Sequence, residues 1–188
     1  MYITLMPVIF AGILNMVFTK TSLYRRYCRP LDGGRCMRDG RRILGDNKTL
    51  IGLLSMTVIC GTVQVLWGAF CEVCGLTGRN QLYLCRENTP AFNGMAGLLF
   101  GLVYMLFELP NSFVKRRLDI APGKTERGVK GVFFLILDQV DSLFGVVLVL
   151  ALLSPMSVGM YFFYILLGGF THIAVNAVLY GLKIRRNL

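Results

Sequence analysis

Residues Gly131–Leu153 read GVFFLILDQVDSLFGVVLVLALL, an apolar run broken only by the polar residues Asp138, Gln139, Asp141 and Ser142. About 20 mostly apolar residues are enough for a helix to cross the hydrocarbon core of a bilayer. Outward from this stretch, four more blocks of the same kind appear: Tyr2–Phe18, Leu50–Phe70, Ala91–Leu109 and Val158–Leu182. The expected fold is an all-α integral membrane protein of five transmembrane helices, at 2–18, 50–70, 91–109, 131–153 and 158–182, forming one domain over 1–188. Composition agrees, since 55% of the 188 residues are hydrophobic and 16% charged, with a mean hydropathy of +0.60. A soluble domain has about 45–50% apolar and about 25% charged residues. The apolar content excludes intrinsic disorder, and the length excludes a disulfide-stapled mini-domain.

The charges predict an orientation. Of 20 Lys and Arg, nine lie in segment 19–49, six in 110–130 and three in 183–188, leaving Arg79 and Arg86 on the other side. Positive charge is retained on the cytoplasmic side of membrane proteins. The N-terminus is therefore expected outside, and the two basic loops and the C-terminus in the cytoplasm, with the protein in the plasma membrane. The first block has no basic residues before it and several after it (Lys20, Arg25, Arg26, Arg29), the reverse of a signal peptide, which predicts an uncleaved span. The net charge of +10 is thus a topological signal, and no nucleic-acid partner is expected. In the outer loop 71–90, Cys71, Cys74 and Cys85 lack the fourth ligand of a structural zinc site, leaving a disulfide or unpaired thiols at a helix end.

Polar residues of the expected cytoplasmic face suggest phosphate chemistry. The first basic loop contains LDGGRCMRDGRRILGDNKTLIG (31–52), in which Arg41, Arg42, Asp46, Asn47, Lys48 and Thr49 lead straight into a span. Glycines allow backbone N–H groups close to a ligand, and a helix N-terminus favours an anion. In the second basic loop, Ser112 precedes Lys115-Arg116-Arg117 by one turn. Asp138 and Asp141, spaced i, i+3, share one helix face inside the apolar stretch. Two like charges there repel unless a cation neutralises them, and Mg²⁺ takes one or two carboxylates together with substrate phosphates. The other reading is that the helix begins near Asp138, which then serves as its N-cap. On the last span, His172, Asn176 and Tyr180 form an i, i+4, i+8 stripe expected to line a lipid pocket, together with Asn15 of the first span. This combination suits phosphoryl or nucleotidyl transfer between a soluble nucleotide and a lipid.

Asp39–Arg42 with Gly45–Thr49 (DGRR, GDNKT), Ser112–Leu118 (SFVKRRL), Leu137–Asp141 (LDQVD) and HIAVNAVLYGLK (172–183) come in order and cover nearly the whole chain. In these runs the sequence resembles the CDP-archaeol synthase (CarS-like) family, itself akin to the CTP:phosphatidate cytidylyltransferases. The resemblance implies that CTP and a phosphorylated glycerolipid, archaetidic acid-like or phosphatidic acid-like, give a CDP-lipid and pyrophosphate with Mg²⁺. It further implies Lys115, Asp138 and Asp141 as catalytic residues, the two aspartates as metal ligands, and the basic residues with Ser112 as phosphate ligands. The chain departs from the family pattern at Phe107-Glu108-Leu109, where Gly-Asp-Leu is usual, and at Leu50-Ile51, where Trp-Arg is usual. Asp32-Gly33 and Asp39-Gly40 superficially resemble the CDP-alcohol phosphotransferase hallmark, but the downstream Asp-x3-Asp is missing. The non-enzymatic alternative is a small membrane transporter or scaffold with a basic cytoplasmic face. Oligomeric state is left open.

Overall fold

Two threonines start the long helices. Thr49 and Thr89 are extended, and each side-chain oxygen accepts a hydrogen bond three residues on, from Gly52 N at 3.1 Å and Phe92 N at 3.2 Å. This is the N-cap arrangement, and Pro90 follows at the position where a helix needs no N–H donor. The computed structural model describes residues 1–122 and 128–181. Its helices are α1 (Tyr2–Phe18), α2 (Ser22–Tyr27), α3 (Leu50–Val73), α4 (Pro90–Arg117), α5 (Gly128–Leu153) and α6 (Val158–Gly181). Among the described residues there is no β-strand, only the isolated bridges Pro30–Thr49 and Cys36–Arg42.

All five apolar blocks are helical, and four of the helices, α3 to α6, are long and apolar enough to cross a membrane. The 17 residues of α1 rise only about 25 Å against a hydrocarbon core of about 30 Å. Leu182 of the last expected span, the basic tail 183–188, and Lys124 and Arg127 of the second basic loop lie outside the described residues.

Two helix ends differ from the sequence reading. Helix α4 runs on to Arg117 instead of stopping at Leu109. Hydropathy falls at Glu108, but Asn111, Ser112 and Arg116 remain buried against neighbouring chain, and three cations in the last turn suit the negative end of the helix. Helix α5 begins at Gly128, so Asp138 sits well inside it and is not an N-cap.

The helices pack in series: α1 on α3, α3 on α4, α4 on α5, and α5 on α6. The α3–α4 seam is the most extensive. There a Cβ on Gly97 would stand 2.6 Å from the Cys60 carbonyl oxygen, and one on Gly101 2.6 Å from that of Met56. Glycine is what lets the two backbones touch, the usual device where lipid supplies no hydrophobic drive between helices. Phe100, Met56, Val146, Val147, Leu150 and Tyr164 fill the core, while Leu66, Leu152, Leu166 and Phe170 point outward. Such outward apolar cover is untenable in water and natural in lipid.

At the end of the bundle formed by the C-terminus of α3 and the N-terminus of α4, the segment between them folds back as a plug. Tyr83 OH donates to Asn93 Oδ1 (2.8 Å), Asn93 Nδ2 to Asn88 Oδ1 (2.7 Å), and Gln81 Nε2 to the Pro155 carbonyl (2.6 Å). None of the six cysteines is paired: Cys71 is buried, and Cys74 and Cys85 are exposed thiols.

Candidate active site

The opposite end gathers the charged residues. Because α4 continues past Leu109, Glu108, Asn111 and Lys115 fall at i, i+3, i+7 on one face, turned toward α5 and the end of the first basic loop. Lys115 Nζ lies 2.5 Å from both Asp138 oxygens. Asn111 Nδ2 bridges the two aspartates, 2.6 Å from Asp138 Oδ1 and 2.7 Å from Asp141 Oδ2. Asp141 Oδ1 accepts from the Ser142 backbone N–H at 2.7 Å. Lys48 pairs with Glu108, both side chains mostly buried. Burial works against the charge on Lys48, but Glu108, with Asp141 and Asp138 nearby, outweighs it and holds the ammonium above its ordinary range. Three carboxylates and two ammonium groups thus share one cluster, in which Lys48, Lys115, Glu108 and Asp141 are mostly buried and the Asp138 carboxylate is partly exposed; charge interactions among the buried members are stronger than in water.

A second tier ties the basic loop over this pocket. Asp32 accepts from the Leu44 and Gly34 amides and pairs with Arg42 at 2.9 Å, while Arg42 also holds Asp46 at 2.6 Å. Gly33 and Gly34 take positive φ in this turn, which only glycine adopts without strain. Arg41 binds Asp119 (2.6 Å) and the Arg117 carbonyl; Arg117 binds Asp39 (2.5 Å) and the Arg42 carbonyl. Gly45 N donates to Ser112 Oγ at 3.2 Å.

Among the residues expected to meet a ligand, the structure draws Lys48, Lys115, Asp138 and Asp141 into one cluster. Thr49 is a buried cap whose oxygen is shared with Tyr24 OH (2.8 Å), so it acts structurally. Ser112, Arg41, Arg42, Arg117 and Asp46 fasten the loop, while Asn47 is exposed. Arg116 is buried, and its Nε has no hydrogen-bond partner; the Nε atoms of Arg42 and Arg117 and Asn111 Oδ1 share that condition. Buried polar atoms without protein partners are uncommon and are ordinarily met by water, an ion or a ligand; Gln64 Oε1 and Asn80 Nδ2 at the other end share the condition. Asn111 and Gln139 were not anticipated from sequence. A helix carried through Pro110 would have revealed Asn111, one turn from both Glu108 and Lys115.

His172 and Asn176 line an apolar groove between α1 and α6, floored by Leu143 and Tyr104, of about 600 Å³ with its open side included. Gln139 anchors both, its Oε1 accepting from Asn176 Nδ2 at 2.8 Å and its carbonyl facing His172 Nδ1 at 3.2 Å. Asn15 lies elsewhere, accepting from Ser55 Oγ at 2.6 Å on the α1–α3 seam. Tyr180 is exposed, because eight residues carry it about 80° around the helix from His172.

Fold and site together define an intramembrane helical protein whose charged chemistry is held at one end of the bundle, beside an apolar groove. The chain belongs to the CarS-like family, CDP-archaeol synthase, whose family model matches residues 2–187. It is 29% identical over 189 residues to the CDP-archaeol synthase of Sulfurisphaera tokodaii, covering 96% of this chain and 98% of that one. Identity to the CDP-archaeol synthase of Methanococcus aeolicus is 28% over 162 residues, covering 83% and 80%. A solved structure described as an intramembrane enzyme for archaeal membrane lipids biosynthesis superposes with a TM-score of 0.63. It is 25% identical, covering 94% of this chain and 92% of its own.

Proposed function

We infer that the protein is a CTP-dependent cytidylyltransferase that converts a phosphorylated archaeol-type lipid into its CDP-lipid, releasing pyrophosphate. The observation that carries the residue-level reading is the joint hold of Lys115 and Asn111 on Asp138 and Asp141 beneath a basic loop, in a chain matched by the family over 2–187. In the reaction an oxygen of the lipid phosphate attacks the α-phosphorus of CTP, and the bond from that phosphorus to the oxygen bridging the β-phosphate breaks. Both partners are anions, so their repulsion has to be cancelled before an in-line approach is possible. Lys115 and Lys48 supply mostly buried positive charge, and Arg116 stands buried with an uncommitted donor. Fixed donors aimed at developing charge are worth roughly 3–4 kcal/mol each in comparable sites. No covalent nucleophile is required.

The donor set suits Mg²⁺. Asp138 and Asp141 offer hard oxygen ligands, and Asn111 Oδ1 is a buried acceptor with no partner. Among the described residues no three His, Cys, Asp or Glu side chains lie close enough together to hold a metal ion, so the protein would offer two carboxylates and leave the other positions to water and substrate phosphates. Asp138 and Asp141 would hold it, where it would neutralise phosphate oxygens and steady the pyrophosphate leaving group. The apolar groove lined by His172 and Asn176 is the natural berth for lipid chains.

The topology that accords with the charge distribution is five spans in the plasma membrane, N-terminus outside, with the site on the cytoplasmic face. Cys28 and Cys36 are exposed at one end, Cys74 and Cys85 at the other. An impermeant thiol reagent on intact cells should label 74 and 85 in single-cysteine variants and spare 28 and 36; the reverse pattern inverts the orientation. The reaction itself is tested by mass spectrometry of products formed from CTP and a panel of ether and ester lipid phosphates. A CDP-ether lipid is expected, and no CDP-lipid from any of them would defeat the reading. The transporter or scaffold alternative predicts no product at all.

A further inference from the structure

We propose that Lys115 is a stand-in cation. In the ligand-free protein it neutralises Asp138, and it transfers to the nucleotide phosphates when a divalent cation takes that carboxylate. Metal and nucleotide therefore bind with positive coupling. The inference rests on the cytidylyl-transfer reading above and goes beyond it by stating how the same site is regulated.

Three observations carry it. Both oxygens of Asp138 already accept from Lys115 at 2.5 Å, and one also accepts from Asn111. A divalent cation ligated by Asp138 must therefore approach a carboxylate the ammonium already holds, and the two positive charges repel at that range. Next, the cluster is nearly balanced as it stands: Glu108, Asp138 and Asp141 against Lys48 and Lys115. Adding a divalent cation alone turns that small negative excess positive, and adding a polyanion alone deepens it, so each ligand offsets charge that the other brings. Third, the neighbours of Lys115 accommodate both states. Its ammonium already lies 5.5 Å from the centroid of the Phe134 ring, whose face tolerates a cation not bound to a carboxylate. Half a turn of the Asn111 amide would also present its unpartnered Oδ1 where Nδ2 now points.

The consequence runs against the ordinary expectation for an active-site cation: removing it should strengthen metal binding. Mn²⁺ binding to the detergent-purified, nucleotide-free protein can be followed by electron paramagnetic resonance. Lys115→Met should bind Mn²⁺ more tightly than wild type, by about tenfold, the usual scale of coupling between linked sites. Lys115→Arg, which keeps the charge, should remain near wild type. In equilibrium dialysis without lipid acceptor, Lys115→Met should bind CTP more weakly at saturating Mn²⁺. If a Lys115→Met protein with the wild-type melting temperature binds Mn²⁺ no better than wild type, the exchange is wrong.

The wild type provides a check that depends on no variant. Mn²⁺ alone should raise the rate at which Lys115 is acylated, read by peptide mass spectrometry, and an unchanged rate overturns the proposal. Product formation from CTP and an archaeol-type phosphate, measured on the same preparation, separates the two levels. An active wild type without metal-induced release of Lys115 sinks the exchange and leaves the cytidylyl-transfer reading standing. A wild type that makes no CDP-lipid sinks that reading.

Discussion

The two ends of the bundle both bury polar side chains, and they do so in opposite ways. At one end Gln64, Tyr83, Asn88 and Asn93 are amides and hydroxyls linked to one another, with Asn88 also reaching the Gly68 carbonyl at 2.8 Å. Apart from Glu72 at its margin, that network is uncharged. At the other end Lys48, Glu108, Lys115, Asp138 and Asp141 are charged, and Arg116 is buried with an uncommitted Nε. A neutral network costs less to bury than charge does, and here it fastens the segment between α3 and α4 even though Gln64 Oε1 and Asn80 Nδ2 lack partners. A charged cluster is expensive to bury and is rarely the most stable choice, so its retention points to work that only charges can do. The difference separates an end fastened by neutral bonds from the charged end proposed to react.

The largest effect should come from the charged end. Asp141→Asn is expected to lower turnover by at least about a thousandfold while insertion and folding survive. Thermal stability in detergent should be unchanged or higher, since one buried negative charge is removed. Chelation of the wild type should silence turnover, and added Mg²⁺ should restore it. Full turnover in excess EDTA would remove the metal from the scheme.

Lys115→Ala comes next, with a loss of about a hundredfold in turnover; Lys115→Arg should retain part of it. Wild-type turnover in Lys115→Ala would reduce this residue to a membrane-interface anchor.

At the neutral end the same kind of change should have the opposite signature. Asn93→Ala removes the acceptor of the Tyr83 hydroxyl proton and the donor to the Asn88 amide oxygen, costing about 1–3 kcal/mol of stability. Its turnover, measured below the melting temperature, should stay near wild type. If Asn93→Ala loses activity at full stability, the contrast between the two ends collapses.

The smallest effect belongs to the loop clasp. Burial alone would raise the Asp32 carboxyl, but the Arg42 guanidinium and the Leu44 and Gly34 amides overcome it and hold it below the ordinary value. The charged form is therefore favoured by folding. Its contribution is complete above the unfolded value of about 4 and fades as pH falls through the lower folded one. Hydrogen exchange at Gly34 and Leu44, corrected for intrinsic rate, should show loosening only in that acid range. Asp32→Asn should exchange faster at neutral pH as well. Equal protection in Asp32→Asn and wild type at pH 7 would mean the clasp is held by other bonds.

Which segments are helical, and that they are apolar enough for lipid, can be read from the residues one at a time. Hydropathy is a property of each residue's transfer from water, so runs such as Gly131–Leu153 declare themselves without knowledge of any neighbour. The aspartate pair was legible for the same reason, because charge inside an apolar run stands out in one dimension. The end of α4 was not, since Asn111, Ser112 and Arg116 extend the helix through contacts with other segments that hydropathy does not record. Which polar residues bond to one another is set by the packing of segments distant in sequence. Thr49 and Ser112 look like phosphate ligands in sequence, and folding spends their oxygens on Gly52 and Gly45. Lys115 and Asp138 look like separate features 23 residues apart, and folding brings them to 2.5 Å. Hydrogen bonds and ion pairs act over a few ångströms, so only the packing of α4 against α5 and the basic loop could assign their partners.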